Sequence, residues 1–146
     1  MTSRNFGTRS NFLNRNNRLT IYAYVLMDNH IHLIVSSDNL NKEVANFKSY
    51  SARKCINYYI EQNDRCMLEQ FALNKPVYRK DRSYRFWQEG IHPNRIQGEK
   101  MMRQKIDYIH QNPVRKGFVD SPEDWIFSSA VNYSGVVGLI DVCVDW

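Results

Sequence analysis

Two histidines one residue apart, His30 and His32, stand in the β-rich run TIYAYVLMDNHIHLIVS at 20–36. Side chains two apart on a strand leave the same face, so both imidazoles point one way and Ile31 the other. Neutral imidazoles side by side are ligands for a divalent metal ion, and two of them make an incomplete site. Groups able to complete it lie on a helix expected over 99–111. On that helix Met102, Ile106 and Ile109 form a core stripe, and Met101, Lys105, Tyr108 and Asn112 form the adjacent one, at spacings of four, three and four. Asn112 offers an amide oxygen as third ligand, Tyr108 a phenol as nucleophile and Lys105 an ammonium to clamp phosphate.

The chemistry that joins these groups is phosphoryl transfer. A phenol with its ordinary pKa near ~10 is a weak nucleophile at neutral pH. Its attack on a phosphodiester needs a cation that draws charge from the scissile phosphate. Two histidines and one carbonyl oxygen leave coordination positions open for phosphate and water, which suits Mg²⁺ or Mn²⁺. Spacing alone leaves plainer uses open: a core histidine pair, a tyrosine that packs its ring, and His110 as a core or capping residue.

The elements that must position these residues can be read in order. Thr20 to Met27 and His30 to Val35 alternate as strands, and Asp28-Asn29 suits a two-residue turn. That register sets Met27 opposite His30 and Val25 opposite His32, with Ala23 and Val25 small enough to leave room for a ligand. Val44, Phe47, Ser51, Cys55 and Tyr58 recur at helical spacing from Asn41 to about Asn63, with Lys48, Arg53 and Lys54 outside the stripe. A short helix over 66–73 ends at Asn74-Lys75-Pro76. Lys75, Arg79, Lys80, Arg82 and Arg85 then alternate with Tyr78, Tyr84, Phe86 and Trp87. This pattern fits single-stranded nucleic acid, and equally a basic loop entering a strand at 84–88 with Phe86 and Trp87 in the core. Asn112-Pro113 is expected to close the 99–111 helix. Ser121 as N-cap and Pro122 at the first position open a third helix, with Trp125, Ser129 and Tyr133 on one face. Residues 138–146 suit an edge strand.

A chain of 146 residues, 42% hydrophobic and 24% charged, is expected to make a single globular domain over 19–146. Residues 1–18 precede it with Arg4, Arg9, Arg15 and Arg18 and no acid: a poorly ordered segment, either a solvated tail or a basic arm on nucleic acid. No apolar run is long enough to span a bilayer and no signal peptide is recognisable, so a cytoplasmic location is expected and no membrane partner. Cys55, Cys66 and Cys143 match no disulfide framework or metal knuckle and read as free thiols. A net charge of +5 and a pI near 9.2 are compatible with a polyanionic partner.

Several stretches together resemble one family. YAYVLMDNHIHLIV is similar to the His-hydrophobic-His (HUH) motif of the single-tyrosine transposases. YIHQNPVRKGFV resembles the tyrosine helix of one branch, the REP-associated tyrosine transposases, and RFWQEGIHP and PEDWIFSSAVNY resemble that branch too. The resemblance covers roughly residues 19–140. It implies an α+β, ferredoxin-like antiparallel sheet with helices on one face. The activity it implies is metal-dependent cleavage and rejoining of single-stranded DNA near hairpins through a 5′-phosphotyrosine. On matching positions His30 and His32 are metal ligands, Tyr108 is the nucleophile and Asn112 stands where relatives place a polar third ligand. Lys48, Arg53, Lys54, Lys75, Arg79, Lys80, Arg82, Arg85 and Lys105 become candidate DNA contacts. The family begins with a strand and a long helix that residues 1–18 do not supply, so the sheet is expected to lack them unless the C-terminal GLIDVCV or a partner chain takes the place. Relatives include monomers and homodimers, and either state is open here.

Two other classes compete. The histidine-triad hydrolases carry H-x-H-x-H, but the third position here is Ile34. A module that binds structured single-stranded DNA without cutting it, or a decayed transposase remnant, is the alternative function.

Overall fold

A computed structural model describes residues 18–78, 80–81 and 83–146. They fall into two compact units, one of residues 18–40 with 95–146 and one of residues 41–94. The class is α+β: a two-stranded antiparallel sheet accompanied by helices.

In the first unit β1 (Thr20–Leu26) pairs with β2 (Ile31–Ser36). Leu26 lies opposite Ile31 and Val25 opposite His32, and the Met27 amide donates to the His30 carbonyl at 2.9 Å. The turn therefore falls on Asp28-Asn29, in the register that the alternation predicts. A bulge interrupts the ladder between Ile21 and Ala23, leaving Tyr22 as the extra residue.

The helix α3 (Gly98–Arg115) lies against this hairpin. Its stripe Met102, Ile106 and Ile109 forms one buried cluster with Ala23, Val25, Met27 and Ile34. The room expected beside Ala23 and Val25 is thus filled by core side chains, and the histidine face is open only at its turn end. The helix also runs past the expected stop at Asn112-Pro113. Pro113 is buried inside it, and the chain ends it one turn later with a paired cap: Gly117 N–H donates to the Val114 carbonyl at 2.9 Å and Phe118 N–H to the Pro113 carbonyl at 2.9 Å. Gly117 takes φ +72°, the left-handed conformation this closure needs.

The expected third helix over 121–133 is replaced by a 3₁₀ turn (Pro122–Asp124), an extended stretch and the single-turn α4 (Ala130–Tyr133). The reason is the outer edge of β1, whose backbone groups would otherwise be unpaired. The Leu26 amide donates to the Phe127 carbonyl at 2.9 Å, the Ser129 amide to the Tyr24 carbonyl at 3.0 Å, and the Trp125 indole to the Leu26 carbonyl at 3.0 Å. The Tyr133 hydroxyl donates to the carbonyl of the bulge residue Tyr22 at 2.8 Å, and the Cys143 amide to the Ile21 carbonyl at 2.8 Å. The C-terminal segment thus runs beside β1 with one backbone bond to it, without forming the expected edge strand. Tyr24 is buried, with its hydroxyl accepting from the Ile140 amide at 3.3 Å.

In the second unit α1 (Leu40–Glu61) and α2 (Arg65–Leu73) are followed by irregular chain. Asp64 caps α2, its carboxylate accepting from the Met67 amide at 3.1 Å. The strand expected at 84–88 is absent. Phe86 and Trp87 are neighbours in sequence yet both enter one aromatic row, with Phe71 against Phe86, Phe86 against Trp87, and Trp87 against Phe47. Strand alternation would send them to opposite faces.

Candidate active site

The hairpin turn and the last two turns of α3 bring together three of the residues singled out by spacing. The rings of His30 and His32 meet edge to face with centroids 4.9 Å apart, and the Tyr108 ring stands edge to face on His32 at 5.8 Å. Both imidazoles are half-buried, whereas Tyr108 keeps 48% of its surface exposed. The Asn29 side-chain oxygen accepts from His30 Nδ1 at 2.7 Å, which leaves Nε2 as the nitrogen available to a ligand. His32 is held below the usual histidine range, first by burial and then by the neighbouring His30. Both effects favour the neutral, ligating form.

Arg115 joins this group, a residue that the spacing argument did not reach. Its guanidinium carbon lies 4.5 Å from the centre of the Tyr108 ring, and Nη2 donates to the Tyr108 backbone carbonyl. Residue 115 is the next member of the series 101, 105, 108, 112, so the same helical spacing contains it once the helix is carried through Pro113. Ending the helix at the proline hides it.

Asn112 is buried, and its side-chain nitrogen donates to the Tyr108 carbonyl at 3.1 Å. Among the described residues no hydrogen bond links it to either histidine, and no cluster of three or more His, Cys, Asp or Glu side chains is placed to hold a metal ion. Asn112 lies on α3 one turn beyond Tyr108. Lys105 lies half-buried one turn before Tyr108. His110 is a core histidine: it is buried on another flank of α3, 2.8 Å from Ser129 Oγ and edge to face with Tyr133.

The remaining basic candidates belong to the second unit. Lys48, expected outside the α1 stripe, is half-buried within it, and its ammonium reaches the Gln88 carbonyl at 3.4 Å. Arg85 is also held inside the unit: its side chain is 17% exposed, donates to the Trp87 carbonyl at 2.9 Å and pairs with Glu89 at 3.3 Å. Both therefore also bond within the unit. Arg53, Lys54 and Lys80 are exposed and Lys75 is half-buried, whereas Arg79 and Arg82 lie outside the described residues.

Charge divides unevenly between the units. Residues 41–94 hold ten Lys and Arg against six Asp and Glu, whereas 18–40 with 95–146 hold seven against nine. The described part of the unit carrying the histidines and tyrosine is therefore slightly acidic, and the positive charge lies mainly in residues 41–94 and in the arginines of the N-terminal segment. Among the described residues no helix is long and apolar enough to cross a membrane.

The chain is similar to a protein of Haemophilus influenzae (strain ATCC 51907 / DSM 11121 / KW20 / Rd) named as a REP-associated tyrosine transposase. The two are 29% identical over 111 residues, which cover 73% of this chain and 56% of the relative. The chain thus spans about half the length of the curated relative it matches. No family model matches the chain, and no solved structure gives a significant match. The relative carries the name of the family that the motifs resemble.

Proposed function

From this likeness to the REP-associated tyrosine transposases, we propose that the chain cuts and rejoins single-stranded DNA beside hairpins, with Tyr108 as the nucleophile. The observation that carries the proposal is the convergence of Tyr108 on the His30–His32 pair, with ring centroids 5.8 Å and 4.9 Å apart in succession. A core histidine pair would have no use for a half-exposed phenol beside it. The Tyr108 hydroxyl makes no hydrogen bond among the described residues, which leaves it free to meet a phosphate.

In the proposed reaction Tyr108 Oη attacks the scissile phosphorus and forms a phenolate ester with the 5′-phosphate of the downstream strand. The P–O3′ bond breaks, the 3′ oxygen takes up a proton, and the phenol proton leaves to solvent. A free 3′-hydroxyl attacking the same phosphorus reverses the exchange and releases Tyr108. No net bond energy is lost, because one phosphodiester replaces another.

The donor chemistry of the site suits Mg²⁺ or Mn²⁺: the His30 and His32 rings are adjacent, His30 is oriented through Asn29, and Asn112 would add an oxygen. Such an ion, when bound, would supply positive charge at the scissile phosphate. The chain's own groups fix the geometry. Arg115 on one contact and His32 on another limit the swing of the phenol, and a restricted nucleophile loses less orientational freedom on reaching the transition state. Lys105, one turn away on α3, would bind a phosphate of the same strand.

Incubating the protein and Mn²⁺ with hairpin-bearing oligonucleotides tests the proposal through an SDS-stable adduct. The alternative, a binding module that does not cut, predicts tight DNA binding that needs no metal and no adduct in any condition.

A further inference from the structure

The helix α1 has an outer face with no partner in the described structure and a composition that specifies one. Asn46, Tyr50, Arg53, Lys54, Asn57 and Tyr58 are all exposed, and at 100° per residue they fall on one side of the helix. The opposite side, Val44, Lys48, Ser51, Cys55 and Tyr59, is half-buried. Tyr50 is 62% and Tyr58 56% exposed, large values for rings that would ordinarily seek cover. Between Glu43 and Glu61 the helix contains no carboxylate. Lys54 extends over the Tyr50 ring, 5.7 Å from its centre, so cation and π-face are already adjacent.

We propose that this face of α1 binds single-stranded DNA, with Tyr50 and Tyr58 stacking on unpaired bases and Arg53 and Lys54 neutralising the intervening phosphates. The inference rests on the proposed function for the identity of the polymer and extends it by naming a surface that holds the strand. Three properties of the face select this occupant. Exposed aromatic rings interleaved with cations, with acids only at the two ends of the helix (Glu43 and Glu61), match a chain of alternating bases and phosphates. A duplex keeps its bases stacked and would leave the tyrosine faces unused. A second copy would bring two sets of positive charge together across an interface with little aliphatic surface. The face lies in the unit with the excess of basic residues. Tyr50 and Tyr58 are eight residues apart, roughly 12 Å along the axis, so they engage different nucleotides.

The test measures binding by the full chain carrying Tyr108→Phe, in which no adduct can form on that residue. Fluorescence anisotropy is recorded with a single-stranded oligonucleotide and with the same sequence as duplex. Removing both rings (Tyr50→Ala with Tyr58→Ala) should weaken single-strand binding by about tenfold or more, leave duplex binding within about twofold, and leave the salt slope unchanged. Phe at both positions should restore it. Arg53→Gln with Lys54→Gln should reduce the salt slope by about 1.4, two phosphates' worth. All these side chains are exposed, and unchanged helical circular dichroism excludes unfolding as the cause. Equal loss of single-strand and duplex binding, binding unaffected by loss of the rings, or no single-strand binding by the parent would overturn the proposal. So would a dimer, seen by sedimentation, that the Tyr→Ala pair dissolves. If ring-dependent binding is found but the chain with Tyr108 intact yields no adduct, the cleavage reading fails and the α1 surface stands. If an adduct forms equally well without the two rings, cleavage stands and the α1 surface fails.

Discussion

Ser129 is fully buried at the point where the downstream chain joins the edge of β1, and its replacement by alanine should be costly for so small a change. Its hydroxyl oxygen accepts from the Tyr24 amide at 2.9 Å, and the hydroxyl also lies 2.8 Å from His110 Nε2 and 3.3 Å from the Tyr24 carbonyl. Ser129→Ala removes one atom and leaves little cavity, but the Tyr24 amide and the His110 ring both lose their partner in a buried setting. The Tyr24 carbonyl keeps the Ser129 amide at 3.0 Å. Each orphaned buried group costs roughly 1–3 kcal/mol, so the variant should lose about 2–6 kcal/mol, enough to lower the melting temperature by roughly 5–20 °C. Urea unfolding gives the global loss, and hydrogen exchange at the Tyr24 and Leu26 amides shows whether it lies at the β1 edge. A loss below about 0.5 kcal/mol with unchanged exchange at Tyr24 would refute the view that segment 125–129 closes the sheet in place of a strand, since buried hydrogen bonds cannot be given up so cheaply.

Other outcomes follow from the same geometry. Arg115→Gln should slow adduct formation at saturating DNA by roughly 3–10-fold, the loss of an exposed cation–π contact worth about 0.5–1 kcal/mol together with its carbonyl bond. DNA affinity should hold, and Lys should restore little because it cannot both cover the ring and reach the Tyr108 carbonyl; a Kd effect rescued by Lys would mark a simple phosphate contact. Burial holds His110 below the usual histidine range, against the opposing pull of Asp107 and Glu123. The unfolded chain therefore protonates this ring first, and its contribution to stability is full above about pH 6.5 and falls as the pH drops toward the folded value. Urea midpoints from pH 8 to 5 should show that decline, and His110→Gln should make it shallower; greater stability on acidification would contradict the assignment. Gly117→Ala, at φ +72°, should cost about 1 kcal/mol by straining the α3 closure, read from the urea midpoint.

How much of the fold is legible in the sequence depends on the range of the interactions. The hairpin and its register follow from Asp28-Asn29 and local alternation, and the core stripe Met102, Ile106 and Ile109 from periodicity, because both are set by near neighbours. The end of α3 does not follow. A proline removes one amide and strains one turn, but Pro113 is buried, and the Gly117 closure stabilises one further turn; Arg115 is hidden with it. The stretch 121–133 begins with strong helix signals at Ser121 and Pro122, and they do produce a 3₁₀ turn. What ends it is the set of unpaired groups on β1, about a hundred residues earlier in the chain, which no window of sequence contains. The strand expected at 84–88 fails similarly: Phe86 and Trp87 both pack in one aromatic row, with Phe71 and Phe47 contributed by distant residues. Lys48 and Arg85 show the converse limit, since residue type does not tell whether a basic side chain also bonds within its own unit.

The central claim is that Tyr108 attacks DNA with the help of the His30–His32 pair. A single-stranded oligonucleotide containing a hairpin, labelled in turn at each end, is incubated with the protein and Mn²⁺ and resolved on a denaturing gel. The account predicts a protein-linked band carrying only the 3′-end label, as a 5′-phosphotyrosine requires. It should be lost with Tyr108→Phe, with His30→Ala or His32→Ala, and on adding a chelator. An adduct that persists in Tyr108→Phe, or folded protein that binds these oligonucleotides and yields no adduct, would contradict it.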